Sequence, residues 1–271
     1  MKRILNYPGS KWQHAQKIIH LMPQHKSYCE PFFGSGAVFF NKSKVTLETI
    51  NDIDGRLINM FTQMRSWPYE LAQLVELTPY SRKEYELSFV LSDDPLEDAR
   101  RMLVRCWMAI GGKTNGPVGW RRNISWNGPY NTFEWNDLPN RIFDVAVRLK
   151  DAQIESKDAI QLINELDVDT LLYVDPPYVQ STYTAAHYKF EFDDNQHIAL
   201  IHTLKKHDGY VLLSGYDSEL YQDLLNDWYK IEYSTNIGIT TQRKKTVNEV
   251  LWLNYRPEEQ TSLNDFWQSV Y

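Results

Sequence analysis

Four consecutive residues could do chemistry together: Asp175-Pro176-Pro177-Tyr178. They offer a carboxylate, a backbone carbonyl and an aromatic face. Together these can grip a flat ring that bears an amino group, with two acceptors for its N–H groups and a surface to stack on. Each proline pushes the residue before it toward extended backbone, so Asp175 and Pro176 are held stiffly. The apolar run Leu171-Leu172-Tyr173-Val174 reads as a buried parallel strand. It ends there because proline cannot donate to a sheet ladder. In open α/β sheets, ligands bind at that carboxyl edge.

A strand-turn-helix reading covers Ser27 to Phe40, with Gly34 and Gly36 in the turn and a helix starting in Ala37-Val38-Phe39-Phe40. Glycine lets the backbone bend sharply and approach a ligand, and a helix N-terminus would aim its amides at the same crevice. Taken alone, Gly-x-Gly reads more readily as a plain tight turn. The next strand, Leu47 to Ile50, runs into Asn51-Asp52-Ile53-Asp54. An acid roughly 20 positions past a glycine turn is placed to accept ribose hydroxyls. Asp52 could instead cap the helix that starts near Gly55. The full dinucleotide fingerprint is missing, which disfavours NAD and a dehydrogenase.

These residues need a sheet to hold them, and the rest of the chain supplies its elements. A helix is expected from Trp12 to Leu21. Residues 56–150 break the strand–helix alternation. Arg56–Arg65 and Tyr69–Leu77 read as helices. Asp94-Pro95-Leu96-Glu97 starts another that runs to Ile110, with Arg100, Arg101 and Arg105 as candidates for a basic face. Residues 111–132 form a Gly-, Asn- and Pro-rich loop or hairpin. It carries Lys113, Arg121 and Arg122 among Trp120, Trp126 and Tyr130, a mix that suits phosphate and base contact as well as a solvated loop. A helix from Pro139 to Lys150 leads back to the sheet. Strands follow at Gln153–Ser156, at the opening run, at Tyr210–Ser214, and as a hairpin of Tyr229–Ile237 with Val247–Tyr255. Its connector holds Arg243, Lys244 and Lys245, a second possible phosphate contact. Residues 179–195 form a loop with Tyr183, His187, Tyr188, Phe190 and Phe192, long enough to suggest function.

Composition narrows the classes. The chain has 271 residues, 42% hydrophobic and 24% charged, which is an ordinary globular balance with room for one large core. A net charge of −6 argues against indiscriminate DNA binding but leaves room for local basic patches. Most of the nine Trp and 17 Tyr read as core. No signal-peptide pattern or membrane-length apolar run is present, and Cys29 and Cys106 form no CxxC, so reduced thiols and a cytoplasmic location are expected.

Four pieces, in order, resemble the motifs of Dam-like, D12-class DNA adenine-N6 methyltransferases. They are Tyr7-Pro8-Gly9-Ser10-Lys11, Glu30-Pro31-Phe32-Phe33-Gly34-Ser35-Gly36, Asn51-Asp52-Ile53-Asp54 and Asp175-Pro176-Pro177-Tyr178. The tail Asn248–Asn254 resembles the last strand of phage-type members. The resemblance implies an α/β fold, a Rossmann-like seven-strand methyltransferase sheet. Residues 1–55 and 151–271 would form the catalytic domain, and 56–150 a mainly helical target-recognition insertion. It implies S-adenosylmethionine as cofactor, with Tyr7, Lys11, Glu30, Pro31, Phe32, Phe33, Gly34, Gly36, Asp52, Ile53 and Asp175 as contacts, and no metal. It implies catalysis by Asp175, Pro176, Pro177 and Tyr178 on a flipped adenine. Double-stranded DNA would be the partner, met by Lys113, Arg121, Arg122, Arg243 and Lys244. It leaves room for a monomer and for a partner restriction endonuclease. Residues 111–132 show no counterpart of the hairpin that GATC-methylating members use. RNA adenine, cytosine N4 and a catalytically silent binding subunit are the competing readings. An aspartate at 175 favours adenine over cytosine.

Overall fold

A seven-stranded sheet in the order β3-β2-β1-β4-β5-β7-β6 organises the computed structural model. The structure describes residues 1–112, 116, 119–121, 131–167, 169–179, 192–240 and 243–257, with side chains for all but 112, 131, 234–240 and 243–248. The strands are β1 (Ser27–Glu30), β2 (Leu47–Asn51), β3 (Gln153–Glu155), β4 (Thr170–Val174), β5 (Val211–Tyr216), β6 (Tyr229–Thr240) and β7 (Arg243–Leu253). β1 to β5 pair in parallel, while β7 runs antiparallel between β5 and β6. β4 is buried at all five positions, as its unbroken apolar run requires. The strand order reverses between β1 and β4, so the carboxyl ends of those two strands flank the switch point where such sheets bind ligands.

Helices occupy the connections: α1 (Ala15–His20), α2 (Gly55–Ser66), α3 (Pro68–Glu76), α4 (Arg82–Leu87), α5 (Pro95–Met108), α6 (Asn131–Leu149), α7 (Ala159–Glu165), α8 (Asp194–Lys206) and α9 (Glu219–Leu224). One apolar cluster runs without a break from Tyr28, Ile50 and Leu171 of the sheet to Phe61 of α2, Trp107 of α5 and Leu138 of α6. The helices of residues 56–150 therefore share the sheet's core. Among the described residues, no helix is long and apolar enough to cross a membrane. Cys29 and Cys106 are buried and unbridged.

Several local expectations are corrected. The helix predicted from Trp12 is shorter and begins at Ala15. No helix follows the glycine turn. Phe40 N–H reaches Gly36 O at 2.9 Å, then the Asn41 side-chain amide caps Ala37 O at 2.7 Å and ends the winding. The rings of Phe33, Phe39, Phe40 and Phe61 pack at centroid distances of 4.9 to 5.9 Å, so this apolar run fills the core instead of lining a helix. α6 starts at Asn131, ahead of the expected Pro139, which lies inside it. Buried Trp135, whose indole N–H donates to Thr78 O at 3.0 Å, and fully buried Leu138 hold that first half helical despite the proline. α4 escaped the sequence reading. Ser81 caps it by accepting from Glu84 N–H.

The arginines of α5 form no basic face. Arg100 is buried and ion-paired to Glu84 and Glu97 at 2.7 Å each, and Arg101 pairs with Glu97 at 2.7 Å. Arg105 lies over the Phe89 ring at 4.6 Å. They are structural cations inside the helical layer. Arg243 and Lys244 are likewise not in a connector: their backbones belong to β7, opposite Thr240 and Gly238 of β6.

Candidate active site

The N-terminal segment brings the first site residues in from far away. Ile4 and Leu5 are fully buried, and Trp107 Nε1–H and Arg141 Nη1–H donate to Ile4 O and Arg3 O at 2.9 and 2.8 Å. That anchor carries Tyr7 to Lys11 over the ends of β1 and β4. The Ser10 and Ser35 hydroxyls share a hydrogen bond at 2.8 Å that ties this loop to the glycine turn. The Tyr7 ring lies against Gly34, where an added Cβ would meet it at 3.6 Å.

The glycine turn and the second acidic loop are joined by Asp52. Its carboxylate accepts the Gly34 amide and the Asp54 amide, each at 2.9 Å. It does not cap α2, since Asp54 does that by accepting from Arg56 N–H. Burial pushes the Asp52 carboxyl up to about 6, against the pull of those amides. Glu30, at the end of β1, is 1% exposed and accepts the Tyr28 hydroxyl at 2.5 Å. Burial pushes its carboxyl up to about 8. Asn51 fixes the frame beneath by donating to Pro31 O at 2.9 Å and Lys157 O at 3.0 Å.

Between these parts lies a cavity of about 400 Å³, within the range of small-molecule sites. Its lining includes Tyr7, Lys11, Glu30, Pro31, Phe32, Phe33, Gly34, Asp52, Ile53 and Asp175, residues that the family resemblance names as cofactor contacts. Gly36 is not in the lining. It sits at φ +64°, and an added Cβ would lie 2.4 Å from Phe33 Cζ, so it serves the turn and its packing. Pro177 lines the cavity, while Pro176 and Tyr178 are buried beside it. Phe192, from the loop whose length suggested function, also lines it, as do Asp158 and Gln196, which the sequence reading missed. Asp158 carries an N-cap signature, accepting from Gln161 N–H at the start of α7. Phe192 meets Phe32 edge-on at 5.6 Å.

At the far side, buried Lys11 pairs with the partly exposed Asp175. Lys11 Nζ donates to both Asp175 oxygens at 3.0 Å and to Gly9 O at 3.0 Å. Glu249 of β7 stands 3.8 Å from the same ammonium and accepts the Tyr233 hydroxyl at 2.8 Å and the Tyr178 hydroxyl at 3.3 Å. Burial disfavours the Lys11 ammonium, yet Asp175 and Glu249 beside it outweigh that and raise Lys11 well above the ordinary range. Burial also raises Asp175, with Lys11 opposing. Lys11 lies 4.9 Å from the Tyr178 ring centroid, and Tyr216 meets that ring at 4.3 Å. The arrangement offers a carboxylate acceptor, a rigid carbonyl and aromatic surface at the mouth of a cofactor-sized cavity.

Comparison with known proteins decides the family. A model of the D12 class N6 adenine-specific DNA methyltransferase matches residues 7–237. The chain belongs to that family. It is an adenine-specific DNA methyltransferase. The type II methyltransferase M1.LlaDCHI of Lactococcus lactis subsp. cremoris is 27% identical, over 94% of this chain and 96% of its own. The DNA adenine methylase of Escherichia coli K12 is 24% identical over the same shares. The DNA adenine methylase of Vibrio cholerae (strain O395) is 24% identical over 80% of this chain and 82% of its own.

For this methyltransferase the anticipated DNA contacts divide into two groups. Lys113 and Arg122 lie outside the described residues, as do Tyr183, His187, Tyr188 and Phe190, and the side chains of Arg243 and Lys244 are also outside them. Arg121 is described. Its N–H donates to Met108 O at 2.7 Å, and Ile110 N–H to Gly119 O at 3.1 Å, so 108–110 and 119–121 run together as an antiparallel bridge.

Proposed function

We propose that the chain moves a methyl group from S-adenosylmethionine to the N6 amine of an adenine turned out of duplex DNA. One observation carries the reading: a cavity edged by the carboxyls of Asp52 and buried Glu30 opens onto Asp175 at the sheet's switch point.

The donor set fits that cofactor. Asp52 accepts ribose hydroxyls. Glu30 faces the amino-acid end, where an ammonium would draw off the proton that burial holds on it at neutral pH. Phe32, Ile53 and Phe192 give apolar walls to a flat base. When bound, the cofactor supplies an electrophilic methyl: the amine's lone pair makes the new N–C bond, the C–S pair stays on sulfur, and the positive charge passes to nitrogen.

The chain's residues do the rest. Adenine's amine sits inside the duplex, so the base must leave the stack. Its lone pair is spread into the ring. Asp175 and the Pro176 carbonyl each accept one amino hydrogen, which favours a pyramidal nitrogen with its lone pair aimed outward. Tyr178 stacks on the ring. Asp175 then takes the proton that the methylated nitrogen sheds. Positioning supplies most of the rate.

Residues 56–150 serve as the target-recognition part, with Arg121 and the neighbouring Lys113 and Arg122 on phosphates, and Arg243 and Lys244 as a second contact. The type II relative's name suits a partner endonuclease. A monomer working in the cytoplasm completes the reading. The test is to incubate the protein with S-adenosylmethionine and unmethylated genomic DNA and to map modified bases. N6-methyladenine in a fixed context, strongly reduced with Asp175→Asn, is expected. Modification of RNA alone, or equal modification by Asp175→Asn, overturns the reading.

A further inference from the structure

Glu249 is a third charge in a site whose catalytic motif needs only Asp175. Two hydroxyls donate to its Oε2, Tyr233 Oη at 2.8 Å and Tyr178 Oη at 3.3 Å, and the Lys11 ammonium stands 3.8 Å from the same oxygen. It comes from β7, remote in sequence from every motif that builds the cavity, and it is buried. A carboxylate in the interior is costly unless it answers a cation, and the neighbouring cation is Lys11.

The ammonium's three N–H groups are already spent on Gly9 O and the two Asp175 oxygens. As it stands, Lys11 neutralises the carboxylate that must hold the amine. The pair alone carries no net charge, so it offers little to a nitrogen that turns positive during transfer. Glu249 changes that balance. With it, Asp175, Lys11 and Glu249 sum to one negative charge, set beside the reacting nitrogen in a poorly solvated cleft where charge acts strongly.

We propose that Glu249 is a positioning residue that takes over Lys11 as Asp175 turns to the adenine amine. It leaves the site with a net negative charge and fixes the Tyr178 ring through its hydroxyl. The inference rests on the methyl-transfer reading above. The required movement is small. Closing 3.8 Å to hydrogen-bond length moves the Lys11 ammonium by about 1 Å. The titratable groups facing Glu249 are Lys11 and His14 of the N-terminal segment, Asp175 and Tyr178 beyond β4, Tyr216 of β5 and Tyr233 of β6. Lys11 is its cation, while burial lowers His14 and keeps that ring neutral at neutral pH.

The test starts from Glu249→Gln, which keeps the shape and can still accept the Tyr233 hydroxyl. Its kcat is expected to fall about 10- to 100-fold, the scale of losing one preorganised electrostatic group. KM for DNA and for S-adenosylmethionine should stay within about twofold of wild type, since only the charge-developing step is touched. In the cofactor-free protein, the Asp175 carboxyl, followed by its ¹³C signal, should titrate at lower pH once the like charge of Glu249 is gone. Adding Glu249→Gln to Lys11→Met should cost little more than Lys11→Met alone. An unchanged kcat, an unmoved Asp175 titration, or full additivity overturns the proposal. If the Gln variant does not fold, wild type carries the test. Adding target duplex with S-adenosylhomocysteine should shift the Glu249 carboxylate ¹³C signal, and no shift overturns it. A wild type that leaves DNA adenine unmodified would instead sink the methyl-transfer reading on which this rests.

Discussion

Lys11 Nζ grips both oxygens of Asp175 at 3.0 Å, across 164 positions of sequence. The N-terminal motif and the catalytic motif are thus one unit, held by a bond that neither shows locally. Asp175→Asn removes the charge and leaves the ammonium to Glu249 alone, 3.8 Å away. Methyl incorporation into DNA should fall by about 10²- to 10³-fold. A loss under tenfold, in a protein that still melts cooperatively, would show that Asp175 is not the acceptor.

Asp52 gives a pH prediction with a definite sign. Its folded carboxyl titrates at about 6, above the ordinary 3.8. The folded state therefore holds an extra proton between those values. The ionised form opposes folding above pH 6, and the cost is relieved as pH falls through that window. Ribose hydroxyls need the ionised form. S-adenosylmethionine affinity by calorimetry should begin to weaken as pH falls below about 8, where Glu30 takes up its proton, and weaken more steeply below about 6, where Asp52 does; Glu30→Gln should remove the first step and leave the second. Asp52→Asn should bind weakly at every pH.

The two glycines of the turn should behave differently. At Gly36 a new Cβ would lie 2.4 Å from Phe33 and 2.6 Å from Phe40, with φ at +64°. Gly36→Ala should destabilise by about 2–4 kcal/mol, from overpacking plus left-handed backbone. At Gly34, with φ at +48° and contact at 3.6 Å to Tyr7 only, the backbone cost of about 1–2 kcal/mol remains. Chemical denaturation of both variants reads the difference, and equal losses would contradict the packing account.

Arg100 separates structural from DNA-contacting arginines. Its guanidinium answers Glu84 and Glu97 and donates to Thr78 Oγ1 at 3.0 Å. Its partners are partly exposed, so Arg100→Met should cost about 1–3 kcal/mol of stability, less than a fully buried pair. DNA affinity and its salt slope should not change. A lower slope would return Arg100 to the phosphate contacts.

What the sequence disclosed were local devices. Asp175-Pro176-Pro177-Tyr178 is legible because prolines and an apolar run act on their own neighbours. Asp52 is legible because a strand end and a glycine turn sit at a set spacing. The helix expected at Ala37–Phe40 failed because four apolar residues suit a helix start and an aromatic cluster equally well, and Phe61 of α2 decides between them. The start of α6 was hidden by Pro139, whose local cost is outweighed by Trp135 reaching Thr78. Arg100 looked like a surface cation because its partner Glu84 lies on a helix the pattern did not reveal. Glu249 lies in the tail that resembles the family's last strand, but that resemblance gives it no role, which comes only from Lys11 beside it.

The place of β7 in the sheet has a consequence in time. A ribosome delivers Glu249 only after Lys11 and the whole of β1 to β5. Until β7 inserts between β5 and β6, a nascent chain can present β1 to β5 and the glycine turn with the edge of β5 unpaired. Such a chain has the cavity walls but not the last acid beside Lys11. Full competence to mark DNA would then arrive only with β7, and a nascent copy still without it would not act on the genome.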